Sequence, residues 1–207
     1  MGRRLTSPSV VVLIPESTRK RRGGEKGLEA RDDLAETLPG GSRTDLLRLR
    51  EEVRAKSSLG SIDSSGLLPA YRRFDGNMYR SIPGEAWDRR SPDVEVVIVS
   101  GLFGALASRD SIPWYEHSMA EPFPELGKLN RWWHDHGLPR ILQAYLEQVG
   151  PKQVVDLLSL EYREAVAGFG TGLRGIPIKM IEFPGMGRGS QPLRGEKIAE
   201  ILRTGRT

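Results

Sequence analysis

Three short, mostly apolar runs constrain the fold of this 207-residue chain more than any other feature. They are SVVVLI at 9–14, VEVVIV at 94–99 and VVDLL at 154–158, and β-branched residues dominate the first two. Runs of this kind are typical of strands that are buried on both faces of a parallel sheet. Because parallel strands need long crossover connections, which are usually helical, the runs predict an α/β protein.

Helical patterns lie between and after these runs. Residues 44–56 carry an amphipathic pattern, and residues 125–148 read as helical with a break at Pro139. A final helix is predicted over about residues 195–202, and the alternating stretch 176–183 predicts a further strand. Strands that alternate with helices in this way indicate a mixed, largely parallel sheet with helices on its flanks.

Charged, small, glycine and proline residues dominate the region that follows the first strand. This composition predicts a mobile loop over residues 25–42 and a variable, partly mobile insertion over residues 21–62. With that exception we expect residues 1–207 to form one compact α/β domain.

The composition excludes several classes of site. The chain has no cysteine, which excludes disulfides, cysteine-ligated zinc, iron–sulfur clusters and cysteine nucleophiles. Its two neighbouring histidines, in HDH at 134–136, have a spacing that does not chelate a metal readily. The glycine patterns match neither a Walker A loop nor a dinucleotide fingerprint. We therefore predict neither a cofactor nor a metal.

No apolar stretch approaches the ~18–20 residues of a membrane-spanning helix, and the N-terminal apolar run is too short for a signal-peptide core. We therefore expect a soluble, cytoplasmic protein. The formal net charge of +4 includes a basic run at Arg19–Arg22 and arginines on both sides of FDG at 74–76. Such clusters favour anionic partners, either nucleic acid or phosphorylated metabolites.

Polar side chains follow each of the three predicted strands. In open α/β sheets, ligands bind outside the carboxyl ends of the strands. Serine hydroxyls and free backbone amides at such positions can bind an anion, although each serine could equally serve only as a helix N-cap. The residues in question are Ser17 and Lys20 after the first strand, Ser100 after the second, and Ser159, Glu161 and Tyr162 after the third.

Six stretches of the chain are informative when they are taken together and in order. They are VVLIPESTRKRRGG (11–24), YRRFDGNMYRSI (71–82), VVIVSGLFGALASRDSIPWYEHSM (96–119), FPELGKLNRWW (123–133), VVDLLSLEYREAV (154–166) and IKMIEFPGMGRGS (178–190). As an ordered set they resemble the YaaA-like peroxide-stress family of bacterial proteins, particularly its actinobacterial branch. The resemblance covers roughly residues 9–203, apart from the variable region 25–60.

The resemblance implies a compact α/β fold with a basic cleft at the strand ends, non-specific DNA binding and a role in surviving peroxide. Phosphate contacts in such a cleft would be independent of base sequence. The cleft residues that it implies are Ser17, Lys20, Arg73, Asp75, Tyr79, Ser100, Asp110, Tyr115, Ser159, Tyr162, Lys179 and Arg188.

The chain also departs from the family pattern. Glu116 and His117 follow the tyrosine of the Pro-x-Tyr motif, where the family usually has an arginine, and PGMG precedes Arg188 in place of a lysine-rich approach. Each lost phosphate contact lowers the salt dependence of DNA binding by about one unit of slope. The departures therefore also fit a smaller substrate and a specialised role.

An enzymatic reading stays open beside DNA binding. In it, the serines and Lys20 hold a small anionic or nucleotide-like substrate, and Asp75, Glu116 or Glu161 acts as general acid or base. A nucleobase would stack on Tyr115 or Trp114. A third reading is that the basic loops are only solvated and the cleft has no function.

Overall fold

The fold is described here from a computed structural model, which covers residues 7–25, 27–57, 62–119 and 121–207. Its strands are β1 (Val10–Pro15), β2 (Asp63–Pro69), β3 (Val94–Ser100), β4 (Gly104–Ala107), β5 (Ser111–Trp114), β6 (Pro122–Phe123), β7 (Gly127–Lys128), β8 (Gln153–Asp156) and β9 (Ile178–Met180). Its α-helices are α1 (Asp33–Thr37), α2 (Gly40–Lys56), α3 (Ala70–Arg73), α4 (Asn77–Arg80), α5 (Gly84–Asp88), α6 (Leu129–Asp135), α7 (Leu138–Val149), α8 (Leu160–Ala165) and α9 (Ser190–Thr204).

A five-stranded sheet in the order β4-β3-β1-β8-β9 forms the centre of the molecule. Strand β1 pairs in parallel with β3 and β8, strand β9 pairs in parallel with β8, and β4 runs antiparallel to β3 at one edge. All six residues of β1 are buried, as expected for a central strand that is covered on both faces. The predicted α/β class with a mixed, largely parallel sheet is confirmed.

The strand order also identifies where a ligand would bind. Strands β3 and β8 follow β1 in the chain and lie on opposite sides of it. The connections of the sheet therefore diverge at the carboxyl end of β1, which is the topological switch point where α/β proteins place their ligand crevices. The residues directly after β1, β3 and β8 meet at this end of the sheet.

The prediction of a mobile loop over residues 25–42 is wrong for the second half of that range. Helix α1 lies in this stretch, and α2 begins at Gly40, four residues before the predicted start at Thr44. The side chain of Asp32 accepts a hydrogen bond from the backbone N of Ala35, and Leu34 is buried. A capping carboxylate and an apolar face that docks on the core are enough to order this short polar segment. Mobility of the 21–62 insertion stays a prediction, and residues 26 and 58–61 lie outside the described part.

Two turns also differ from expectation. The two glycines of SGLFGAL predict a tight strand-to-helix turn after β3, but Gly104, with a φ of +69°, begins the antiparallel strand β4. A Cβ atom at this glycine would lie 2.8 Å from the ring of Trp133, so only glycine fits. The helical break falls at Gly137, with a φ of +97°, and Pro139 lies in the first turn of α7, where proline is tolerated.

The C-terminal helix is longer than predicted, since α9 begins at Ser190 and ends at Thr204. Among the residues that the structure describes, no helix combines the length and the apolar character needed to cross a bilayer.

Candidate functional site

A buried carboxylate lies at the carboxyl end of β1. The Oε1 atom of Glu16 accepts hydrogen bonds from the backbone N of Gly101 at 2.8 Å and of Met119 at 3.1 Å. Its Oε2 atom accepts from the hydroxyl of Ser100 at 3.0 Å and from the phenol of Tyr115. Four donors from the β3 exit and the loop after β5 thus converge on one residue of the β1 exit, and their hydrogen bonds join these segments.

Lys20 completes this group, which we call the Glu16 cluster (Glu16, Lys20, Ser100, Tyr115). Its ammonium group is buried 4.0 Å from the Glu16 carboxylate and 4.1 Å from the centre of the Tyr115 ring. It donates hydrogen bonds to the carbonyl oxygens of His117, Ser17 and Thr18. Burial lowers the pKa of Lys20, and the charge of Glu16 opposes this effect.

Two further tyrosines surround the cluster. The phenol of Tyr79 donates a hydrogen bond to the carbonyl of Pro15 at 2.8 Å, and Tyr162 projects from α8, directly after β8. Burial, and after it the negative charge of Glu16, raises the pKa of both phenols above the ordinary value for tyrosine. They therefore remain protonated and act as neutral groups around a buried charge.

His117 borders the cluster, and its imidazole is buried. The Nδ1 atom lies 2.9 Å from the carboxylate of Glu121, and the ring stacks on Phe123 with 3.9 Å between ring centres. Among the described residues, the Nε2 atom has no hydrogen-bond partner. Burial lowers the pKa of His117, so the imidazole is neutral at pH 7, although the charge of Glu121 opposes the shift.

The close approach of the strand exits depends on a glycine. A Cβ atom on Gly101 would lie 2.9 Å from the backbone N of Met119 and 3.1 Å from the Glu16 carboxylate. Any larger residue would push the two loops apart and open the hydrogen bonds to Glu16. The local sequence SGLFG therefore serves the site through close packing and not through a phosphate-binding turn.

The structure brings six of the predicted residues together at this end of the sheet. The Ser17 hydroxyl donates to the carbonyl of Arg19 and accepts from the backbone N of Asp75 and Gly76, while the buried ammonium of Lys20 donates to the carbonyl of His117. In this arrangement both side chains join neighbouring loops. The six residues are Ser17, Lys20, Tyr79, Ser100, Tyr115 and Tyr162.

Arg73 is completely buried beside these loops. Its guanidinium group donates to the carbonyl oxygens of Arg21, Gly23, Gly66 and Ile112. A guanidinium group with its donors on backbone carbonyls fixes the path of the chain around it, and in this conformation it does not face solvent. Arg73 therefore holds the loop that carries the basic run.

Asp75 lines an open cleft of about 430 Å³, which we call the side cleft. The carboxylate of Asp75 pairs with Arg80 at 2.6 Å, and this contact holds the pKa of Asp75 below its ordinary value. Phe74 and Tyr79 form part of the wall, so the cleft lies next to the Glu16 cluster. Its charges are balanced, with three arginines (Arg21, Arg72, Arg80) and three acids (Glu25, Asp75, Asp88). The basic cleft stays a prediction.

Asp110 lies elsewhere, beside α1. Its carboxylate accepts hydrogen bonds from the backbone N of Asp33 and of Ala107. Burial, and after it the negative charge of Asp32, raises the pKa of Asp110 to about 8. These contacts indicate that Asp110 joins α1 to the β4 edge of the sheet.

The remaining predicted residues are not in the cluster. Glu116, Glu161 and Lys179 are exposed. Ser159 occupies the N-cap position of α8, but its hydroxyl makes no capping hydrogen bond. The backbone of Arg188 lies in a 3₁₀ turn, Gly187–Gly189, and its side chain is outside the described part of the structure.

Sequence reasoning missed Glu16, the residue at the centre of the cluster. The sequence signal was a carboxylate directly after a wholly apolar strand, at the edge of the sheet where ligands bind. A buried acid in that position requires several donors, and the sequence does not show which amides supply them.

Comparison with known proteins gives a consistent result. The family model for peroxide stress protein YaaA matches residues 29–186. Similar relatives include a UPF0246 protein of Francisella tularensis subsp. tularensis (strain WY96-3418), 28% identical over 126 residues, which are 58% of this chain and 49% of the relative. A UPF0246 protein of Streptomyces coelicolor is 29% identical over 131 residues, which are 56% of this chain and 49% of the relative. The chain thus spans about half the length of these curated relatives.

Proposed function

The chain belongs to the peroxide stress protein YaaA family, whose model matches more than half of it, and from this premise we propose that it acts in peroxide stress by binding nucleic acid without sequence preference. Family membership supports the role in peroxide stress and confirms the resemblance drawn from the sequence. Nucleic-acid binding is the more specific part of the proposal, and the charge on the surface of the molecule supports it.

One observation carries it: the loop that leaves the carboxyl end of β1 presents three exposed arginines, Arg19, Arg21 and Arg22, while Lys20 between them is buried. The guanidinium group of Arg22 lies 4.1 Å from the centre of the Trp114 ring, so its plane is supported by an aromatic face. Three guanidinium groups on one anchored loop form a concentrated positive charge at the switch point of the sheet.

Such a surface suits the sugar–phosphate backbone. Guanidinium groups bind phosphate oxygens, and each neutralised phosphate releases condensed counterions from the nucleic acid. The resulting affinity depends strongly on salt and carries no base-sequence information. Binding without sequence preference suits a protein that acts on nucleic acid at any sequence during stress.

Replacing Arg19 and Arg21 together by glutamine should weaken binding to a random-sequence DNA duplex and reduce the salt slope of log K by about two units. The affinity would be measured by fluorescence anisotropy between ~50 and ~200 mM salt, the range in which phosphate contacts dominate. The matched control replaces Arg43 and Arg203, which are exposed on α2 and α9, and removes the same charge.

An equal loss of slope in both double variants would show that net charge, and not the loop, determines binding. Absence of DNA binding by the parent protein at low salt would end the proposal.

A second candidate function is an enzyme that acts on a small anionic or nucleoside-like substrate. The observation that favours it is the Glu16 cluster at the switch point, next to a side cleft whose volume of about 430 Å³ falls in the range of small-molecule sites. In this proposal Asp75, which lines the cleft, meets the substrate as general acid or base. Glu16 fixes the hydroxyls of Ser100 and Tyr115.

We expect at least one of the four ribonucleosides, or of their 5′-monophosphates, to bind the parent protein with a measurable heat in titration calorimetry. For a nucleoside, Asp75→Asn should weaken that binding, because it replaces a carboxylate acceptor in the cleft wall by an amide. The control is Asp88→Asn, which removes another acid from the same cleft. If none of the eight compounds binds, this candidate is excluded.

A further inference from the structure

The buried Nε2 atom of His117 is the feature that neither proposed function has used. The residue is 5% exposed, and among the described residues nothing donates to or accepts from this atom. A buried polar atom without a partner costs about 1–3 kcal/mol, so native structures retain few of them. An atom that is kept at such a cost is a candidate for contact with a ligand.

The surroundings of the ring determine what Nε2 can do. Because Nδ1 lies 2.9 Å from the Glu121 carboxylate, the proton of the neutral imidazole belongs on Nδ1. Nε2 then carries a lone pair and can only accept a hydrogen bond or a proton. The stack on Phe123 covers one face of the ring and holds its orientation.

The backbone that carries His117 is also held in place. Lys20 donates to the carbonyl of His117, and two residues further on the backbone N of Met119 donates to Glu16. The backbone that carries the imidazole is therefore hydrogen-bonded to Lys20 and Glu16 of the Glu16 cluster. A group so fixed meets a ligand in one orientation, which is the property that binding sites require.

We propose that Nε2 of His117 accepts a hydrogen bond from an N–H or O–H group of a nucleoside bound at the carboxyl end of β1. The inference rests on the second candidate function, and it extends the candidate site beyond the side cleft to His117, which does not line the cleft itself. The charged groups that act on the ring are Glu121, Glu16 and Lys20, and Glu116 in turn acts on Lys20.

The chemistry of the site favours a neutral donor over a phosphate here. A lone pair on Nε2 and the carboxylates of Glu16 and Glu121 all repel an anion, and Lys20 already directs its ammonium group to three carbonyls. The lowered pKa of His117, caused first by burial, agrees with a neutral acceptor at pH 7.

His117→Phe tests the proposal, because phenylalanine preserves the stack on Phe123 and removes the unpartnered nitrogen. We expect the melting temperature to change little, since removal of the unsatisfied Nε2 offsets the loss of the Nδ1 contact with Glu121, while nucleoside affinity falls at least tenfold. His134→Phe is the control, because His134 is exposed on α6. A purely structural role would lower the melting temperature and leave binding unchanged.

The tautomer of His117 can be measured independently of the nucleoside affinity. The chain has three histidines, so long-range ¹H–¹⁵N spectra should resolve each ring. We expect His117 to carry its proton on Nδ1 and the Nε2 signal to move when adenosine, cytidine, guanosine or uridine binds. Glu121→Gln, which changes a half-exposed side chain, should weaken both the tautomer preference and the binding.

The outcomes separate the inference from the function on which it rests. Nucleoside binding that His117→Phe leaves intact, or an Nε2 atom that carries the proton, overturns the inference and leaves the second candidate function standing. Absence of binding by every nucleoside and 5′-monophosphate overturns both.

Discussion

Replacing Glu16 by glutamine is expected to lower the free energy of unfolding by about 3 kcal/mol, which is the scale for removing one partner of a buried ion pair. The substitution keeps the shape of the side chain but leaves the buried ammonium of Lys20 without its carboxylate, 4.0 Å away. It also turns one acceptor into a donor, although all four neighbours of the carboxylate are donors. Urea denaturation followed by circular dichroism measures the loss.

The matched control is Glu196→Gln, which changes an exposed acid on α9 and should alter stability by less than about 0.5 kcal/mol. If Glu16→Gln does not fold, Tyr115→Phe removes one donor from the same carboxylate and should cost about 1–3 kcal/mol. Equal stabilities of Glu16→Gln and the control would mean that the cluster does not hold the strand exits together.

The stability of the protein is expected to fall as the pH rises from about 4 to about 8, through the titration of Asp110. Its pKa is raised from 3.8 to about 8 in the folded state, so the folded protein binds a proton that the unfolded chain has released. The contribution is fully present below pH 3.8 and is lost as the pH rises through about 8. The loss is on the order of a few kcal/mol, and urea denaturation at several pH values measures it.

Asp110→Asn should remove this pH dependence. The variant should be less stable than the parent at pH 5, because its amide N–H₂ meets the backbone N–H of Asp33 or of Ala107, and the difference should narrow toward pH 8.5. Asp45→Asn, at an exposed position on α2, should follow the parent at every pH. If Asp110→Asn keeps the pH profile of the parent, another group is responsible for it.

The central sheet could be predicted from the sequence because its signal is local. The runs at β1, β3 and β8 are short and mostly apolar, and those at β1 and β3 are rich in β-branched residues, which favours strands over buried helices. Helix α1 could not be predicted in this way, since its five residues have no strong pattern of their own and depend on the Asp32 cap and on burial against the core.

The site was predictable in position but only partly in composition. The rule that ligands lie at the carboxyl ends of parallel strands selected Ser17, Lys20, Ser100 and Tyr162, which the structure brings together. It also selected Ser159 and Glu161, which are not in the cluster. It could not reveal that Lys20 turns inward while the arginines on either side stay exposed. The inward direction of Lys20 depends on carbonyl groups of distant loops, such as the carbonyl of His117, which is 97 residues along the chain.

Glu116 and His117, the two residues that depart from the family pattern after Tyr115, have different environments in the structure. Both occupy positions where the family resemblance leads one to expect a positive charge. The structure separates them, since Glu116 is exposed and His117 is buried against Phe123. Only the buried residue has the fixed geometry that a specific contact needs.

The loop with the exposed arginines has one more property, which follows from two glycines. A Cβ atom on Gly24 would lie 2.3 Å from the Cα of Gly66, so the two backbones cross in direct contact. Backbone hydrogen bonds from Arg21 to Arg73 and from Glu25 to Leu67 close the loop on either side. Its amide hydrogens should therefore exchange slowly despite their position at the surface, and a polyanion that docks here would order little additional backbone.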